Sequence, residues 1–228
     1  MTLPTHDRST PIDTAVLDVD GTLVDSVYAH VWAWREAFRL VGVDVPTWRI
    51  HRAIGMGGDR LVEAVANATV EQSVGDDVRS EHSRIYDELG VHLRPTPSAP
   101  DLVKALKKRG LSVVLASSGS RENTESAIAL LEVGHLIDGS VTGDDTDATK
   151  PDTEPVQRAL DAVHGTHALV VGDSVWDMAS ARRARQEPVG LLTGGVGACE
   201  LFEGGAGQVY QDPAQLAGAL DDLLASHG

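Results

Sequence analysis

The sequence predicts an α/β protein: a doubly wound parallel sheet carrying an inserted, all-helical lobe. Three observations lead there. Apolar runs of strand length recur along the chain, helical patterns separate them, and residues 27–95 break that alternation with helical periodicity alone. The runs are TAVLD (14–18), LSVVLAS (111–117), ALVVGD (168–173) and PVGLL (188–192). Each is short and apolar and reads as a buried strand.

The segments between them carry helix signals. Ser98 is placed to cap a helix with Asp101 three residues on, a stripe of Leu102, Val103 and Leu106, and Lys107, Lys108 and Arg109 ahead of Gly110. Those basic residues read as charges that complement the helix dipole at the surface. The last helix opens with Asp212 as cap and Pro213 at its first position, then buries Leu216, Leu220 and Leu223. In the inserted block, Val31, Trp34, Phe38 and Val41 share one helical face, and Val78, His82, Ile85 and Leu89 share another. A third, short helix is expected around Arg60–Ala68. The block holds three of the four tryptophans and no lysine. His82, on an apolar stripe, reads as a packed histidine. The expected division is a core of residues 13–26 and 96–228, a helical lobe of 27–95, and a loose tail of 1–12.

Composition narrows the function. A formal net charge of -15 repels phosphate backbones, so nucleic acid and anionic membrane are not expected partners. No apolar run approaches the ~20 residues a membrane span needs, and the polar opening MTLPTHDRSTP has no signal-peptide pattern. The lone Cys199 excludes an intramolecular disulfide and a thiolate zinc cluster, reads as a small apolar filler, and suits a cytoplasmic protein. A monomer or small homo-oligomer is expected. The glycine-rich GMGGDR (55–60) and TGGVGACELFEGG (193–205) match neither a dinucleotide fingerprint nor a P-loop, so both read as turns.

In a doubly wound sheet, polar residues at the carboxyl ends of the strands converge. The first strand delivers Asp18 and Asp20, the second Ser117 and Ser118, and the third Asp173 with Asp177 a helical turn on. Lys150, one of four lysines, lies in the intervening TKPDTEP. Clustered carboxylates need a cation, and an oxygen-seeking Mg²⁺ suits them. One carboxylate as nucleophile and another as acid/base would suffice for phosphoryl transfer through an aspartyl-phosphate.

This set (DVDGTLVDS, a strand ending in Ser117, Lys150-Pro151, then GDSVWD) resembles the haloacid dehalogenase-like hydrolase superfamily from about residue 13 onward. The resemblance implies Asp18 as nucleophile, Asp20 as general acid and then base, Ser117 as phosphoryl ligand and Lys150 as charge balance. It implies Mg²⁺ between Asp18, the backbone carbonyl of Asp20, and Asp173, with Asp177 joining directly or through water. Gly21 and Thr22 would form the turn that lifts the chain off the strand tip and, with Ser118, contribute to substrate binding. Residues 27–95 are similar to the family's helical cap, and Arg60 in its loop could grip a substrate anion. Asp25 reads as a turn or cap residue, and Asp144 and Asp145 as solvated surface.

Within the superfamily, Asp20 argues against dehalogenation, and a cap without lysine argues against phosphonoacetaldehyde hydrolysis. Asp25-Ser26…His30 resembles the spacing in β-phosphoglucomutases, where His30 would bind substrate, yet the mutase-type cap lysine is missing. The expected function is therefore a Mg²⁺-dependent phosphatase of a small phosphorylated metabolite, phosphoglycolate phosphatase-like. A sugar phosphate mutase and a non-catalytic binding protein on the same fold are the alternatives.

Overall fold

The computed structural model describes residues 10–90 and 92–226; residues 1–9 of the expected tail lie outside them. A six-stranded sheet forms the centre, in the order β3-β2-β1-β4-β5-β6, and every neighbouring pair is parallel. Its strands are β1 (Thr14–Leu17), β2 (Ser112–Ala116), β3 (Gly139–Val141), β4 (Ala168–Gly172), β5 (Glu187–Leu191) and β6 (Gln208–Tyr210). The four apolar runs of the sequence are β1, β2, β4 and β5. The edge strands β3 and β6 are three residues long, too short to leave a periodic signal.

Strand geometry sends alternate side chains to opposite faces, and the cores follow that rule. Ala15, Leu17, Val113, Leu115, Leu169 and Val171 face α5 (Ala99–Lys108), α6 (Arg121–Leu131) and α10 (Pro213–Ala225). Val16, Val114, Ala116 and Val170 face α7 (Glu154–Val163) and α8 (Val175–Arg183). The remaining core helix, α9 (Ala198–Gly204), follows β5. Burial on both faces is why these strands read as continuous apolar runs.

Two local expectations are corrected. Ser98 precedes α5 in a left-handed conformation (φ 64°) and makes no capping bond with its side chain. Cys199 is exposed in the first turn of α9 and fills no core. Asp212 does cap α10, accepting from Gln215 N at 2.9 Å.

Between β1 and α5 the chain makes four helices: α1 (Val27–Leu40), α2 (Thr47–Ala53), α3 (Gly58–Val65) and α4 (Ala68–Gly90). They enclose an apolar cluster of their own, with Phe38, Ile50 and Leu61 fully buried beside Trp34, Val78 and Ile85. Burying one such large side chain contributes about 1.5–3 kcal/mol, so this lobe carries its own packing energy. It is also tied to the sheet. His51 Nε2 donates to Gly194 O (2.9 Å), Trp176 Nε1 to Arg52 O (3.2 Å), Ser118 Oγ to Gly55 O (3.1 Å) and Thr149 Oγ1 to Asp59 (2.9 Å). These contacts hold the loop between α2 and α3 over the carboxyl ends of the strands. Among the described residues, no helix is long and apolar enough to cross a membrane.

Candidate active site

The chain runs outward from β1 in one direction and from β4 in the other, so β1 and β4 flank the point where strand order reverses. A crevice opens there at the carboxyl ends of a parallel sheet. Asp18 directly follows β1, and its N–H makes a last ladder bond to Val171 O at 2.9 Å. Asp173 directly follows β4 and Ser117 directly follows β2. Parallel register therefore delivers all three to one place.

Beyond Asp18 the chain turns sharply. Leu23 N and Val24 N both donate to Val19 O, and Gly21 N donates to Val24 O at 2.7 Å. Gly21 adopts φ +82°, and a side chain there would run into the Asp173 carboxylate. Gly194, in the second glycine-rich loop, approaches the same carboxylate as closely. These glycines bring backbone against Asp173. Thr22, fully buried, donates to Asp173 Oδ1 at 3.3 Å. Gly21 and Thr22 thus shape the Asp173 side of the site, and neither lines the cavity over Asp18.

Lys150 is 3% exposed, and its ammonium contacts Asp18 and, at 2.7 Å, Asp177 Oδ1. Oxygens of Asp18, Asp173 and Asp177, all buried, lie within 4.8 Å of one another. Three carboxylates against one ammonium leave an excess of buried negative charge, which a low-dielectric interior resists. The resistance is visible in the acids. Burial first, then Asp177 and Asp20, push Asp18 up to about 7 against the pull of Lys150. Burial, then Asp18 and Asp177, raise Asp173 well above the carboxylate range. A hard divalent cation relieves this charge, and an all-oxygen donor set fits Mg²⁺. Both oxygens of Asp177 are already engaged, Oδ1 by Lys150 and Oδ2 by Ser174 N (3.1 Å) and Oγ (2.5 Å) in a capping box at the start of α8. Asp18 and Asp173 therefore have more uncommitted oxygen lone pairs than Asp177 does.

Asp20 is held apart from that cluster. Its Oδ1 accepts from Ser26 Oγ at 2.6 Å, lies 3.1 Å from His30 Nε2, and takes a long 3.5 Å bond from Tyr86 OH. Burial would raise its pKa, but the charge and hydrogen bond of His30, with the Ser26 bond, outweigh it and hold Asp20 at about 2. A carboxylate only accepts, so His30 Nε2 carries hydrogen; His30 Nδ1 then faces His82 Nε2 at 3.1 Å. His82 stacks on Trp34 with ring centroids 3.9 Å apart, and His30 stacks on Tyr86 at the same spacing. His82 is therefore a packed residue, as its apolar stripe implied, and also the second member of a chain leading to Asp20.

Over these groups lies a cavity of about 190 Å³ lined by Asp18, Asp20, His30, Trp34, Arg79 and His82, with Ser118, Gly119, Ser120 and Asn123. A second cavity of about 440 Å³ meets Asp20 and Asn123 from the other side and is lined by Ser117, Tyr86, Asp87 and Glu122. Ser117 Oγ accepts from Gly119 N at 3.0 Å, which leaves its hydrogen free to donate. Arg60, expected to grip a substrate anion, sits outside both linings, partly exposed, 3.9 Å from Asp59. The arginine at the cavity wall is Arg79, on the polar flank of α4, where nothing in the sequence set it apart from other surface arginines. Asp25 is exposed, while Asp144 and Asp145 are structural, accepting from Arg121 N and closing a capping box with Thr142.

A sequence profile described as haloacid dehalogenase-like hydrolase matches residues 12–185. A validoxylamine A 7'-phosphate phosphatase from Streptomyces hygroscopicus subsp. limoneus is 28% identical over 193 residues, covering 78% of this chain and 85% of the relative. A phosphoglycolate phosphatase from Aquifex aeolicus is 26% identical, covering 74% and 79%. The crystal structure of a hydrolase from Pseudomonas syringae superposes with a TM-score of 0.88 at 34% identity, over 92% of this chain and 99% of that one.

Proposed function

This chain belongs to the haloacid dehalogenase-like hydrolases, and on that premise we propose that it is a Mg²⁺-dependent phosphatase of small-metabolite phosphomonoesters. The observation that carries the reading is the separation of two carboxylate environments at one crevice. Asp18 lies against Lys150 in a buried acidic cluster, while Asp20 is held outside it by Ser26 and His30. Environments that differ this much assign different roles to paired acids.

An Asp18 oxygen attacks phosphorus, and the new O–P bond forms as the ester P–O bond breaks. Asp20 gives the leaving oxygen its proton. Asp20, again a carboxylate, then takes a proton from water, whose oxygen attacks phosphorus and releases inorganic phosphate and free Asp18. Asp20 is a carboxylate before substrate arrives; a phosphoryl dianion beside it disfavours that charge and promotes uptake of the proton it must donate. His30, 3.1 Å away, is the adjacent proton carrier. The Ser117 hydroxyl, its hydrogen left free by the Gly119 N–H it accepts, and the N–H groups of Ser118 and Ser120 supply donors for the phosphoryl oxygens. Mg²⁺ held by Asp18 and Asp173, with Asp177 behind them, would offset the charge that develops at phosphorus.

The two phosphatase relatives act on different esters, so the comparison supports the reaction rather than one substrate. Purified protein should hydrolyse p-nitrophenyl phosphate with Mg²⁺, stop in EDTA, and lose turnover in Asp18→Asn without losing its fold. Metal-independent turnover would sink the mechanism. Phosphate moved between positions of a sugar, with no release of inorganic phosphate, would favour the mutase reading that Ser26 and His30 motivate.

A further inference from the structure

We infer that the leaving group of the substrate is polyhydroxylated and carries no second anion, as in a sugar or cyclitol phosphate; this rests on the phosphatase reading of the same site. A second anion needs a free cation to receive it, and the described residues around Asp18 and Asp20 offer none.

Arg79 is the guanidinium at the cavity wall, and its four terminal N–H groups are all engaged. Nη1 donates to Gly58 O (3.2 Å) and Glu71 Oε2 (3.0 Å); Nη2 donates to Glu71 Oε1 (2.9 Å) and Asp76 Oδ1 (2.7 Å). Glu71 occupies the Nη1–Nη2 edge and Asp76 takes the Nη2 hydrogen of the other, so neither bidentate edge by which an arginine would hold a substrate carboxylate or phosphate is open. Lys150 is buried under Asp18 and spent on Asp18 and Asp177. His30 turns its Nε2 to Asp20, and His82 is engaged in turn, its Nε2 3.1 Å from His30 Nδ1 and its ring stacked on Trp34, with burial, then the charge of His30, holding it well below the usual imidazole range.

The surrounding walls point the same way. In the larger cavity beyond Asp20, Asp87 and Glu122 stand beside Asn123, Thr124 and Ser126. A carboxylate there would meet like charges without a counterion. Uncharged hydroxyls meet suitable partners instead: Ser83, Ser120 and Asn123 both donate and accept, and the Trp34 and His82 rings offer apolar surface for C–H groups. The cavity is built for alternating O–H and C–H groups rather than for a second charge.

A matched pair tests this. Sorbitol 6-phosphate and 6-phosphogluconate differ at one end, a hydroxymethyl against a carboxylate. With Mg²⁺ and the full chain, kcat/KM for sorbitol 6-phosphate should exceed that for 6-phosphogluconate by about tenfold or more, the size of one unmet charged contact. Glu71→Gln frees one edge of Arg79, so it should narrow the ratio by lowering KM for 6-phosphogluconate while leaving p-nitrophenyl phosphate turnover unchanged. Equal or better use of 6-phosphogluconate or 2-phosphoglycolate by the unaltered protein overturns the inference. So does cleavage of p-nitrophenyl phosphate with neither polyol ester accepted. Failure to hydrolyse any phosphomonoester, p-nitrophenyl phosphate included, would instead overturn the phosphatase reading beneath it.

Discussion

Replacing Lys150 with methionine keeps the side chain's length and removes its charge where that charge has most to do. The ammonium is 3% exposed and touches both Asp18 and Asp177, with Asp173 completing the acidic cluster. With all three acids ionised, the formal charge of the cluster falls from -2 to -3. Removing one partner from a buried ion pair costs about 3–5 kcal/mol, a large share of the roughly 5–15 kcal/mol that holds a typical domain together. Some of that is recoverable by proton uptake. Asp18 already sits at about 7, and losing Lys150 raises it further. A carboxylate whose folded pKa is raised binds its proton more tightly when folded, so its contribution to stability falls as pH rises. The deficit of Lys150→Met should therefore be larger at pH 8 than at pH 6. Cation binding should recover more: saturating Mg²⁺ at a hundredfold excess over its Kd adds about 2.7 kcal/mol to the native state. Urea unfolding followed by circular dichroism, in EDTA and in Mg²⁺, measures each part. A deficit below about 1 kcal/mol in EDTA at pH 8 would refute the reasoning, because the uncompensated charge would then cost no more than a surface pair.

Two further outcomes follow from the same geometry. Asp20→Ala should lower the single-turnover rate of aspartyl-phosphate formation by about 10²–10⁴ for alkyl phosphates and far less for p-nitrophenyl phosphate, whose leaving oxygen needs no proton; equal losses on both in that step would remove Asp20 from acid catalysis. His167, whose Nδ1 lies 2.7 Å from Thr10 O, is raised above the ordinary imidazole value of 6.5, first by the Glu187 carboxylate 3.6 Å from its Nε2. A raised folded pKa stabilises while the group is protonated, so that contribution is complete below 6.5 and is lost as pH climbs through the folded value. The stability gap between the unaltered protein and His167→Gln should therefore shrink from pH 6 to pH 8.5, as read by thermal unfolding at the two pH values.

The strands that carry the site were legible because burial on both faces leaves a mark that does not depend on partners. TAVLD, LSVVLAS and ALVVGD could be placed, and with them Asp18, Ser117 and Asp173 at the strand ends. The edge strands were not legible, since three residues hold no period. Ser98 has the residue type of a cap, but the chain enters α5 through a left-handed residue and the hydroxyl makes no capping bond. Arg60 drew attention through its glycine-rich loop, and Arg79 drew none, because on a helix a cavity-facing arginine and a surface arginine look alike.

By itself the sequence determined the four longer strands of the sheet, the helical insertion and the placing of acids at strand tips, all consequences of local apolar periodicity and short-range turn chemistry. Tertiary structure decided which charges are already spent. Lys150 meets Asp18 across 132 residues, His30 on one helix meets Asp20 beyond a strand, and Arg79 of α4 meets Gly58 O at the start of α3. Whether a charged group is free to act depends on what lies within about 4 Å of it, and that distance is set by how elements pack, not by their order in the chain.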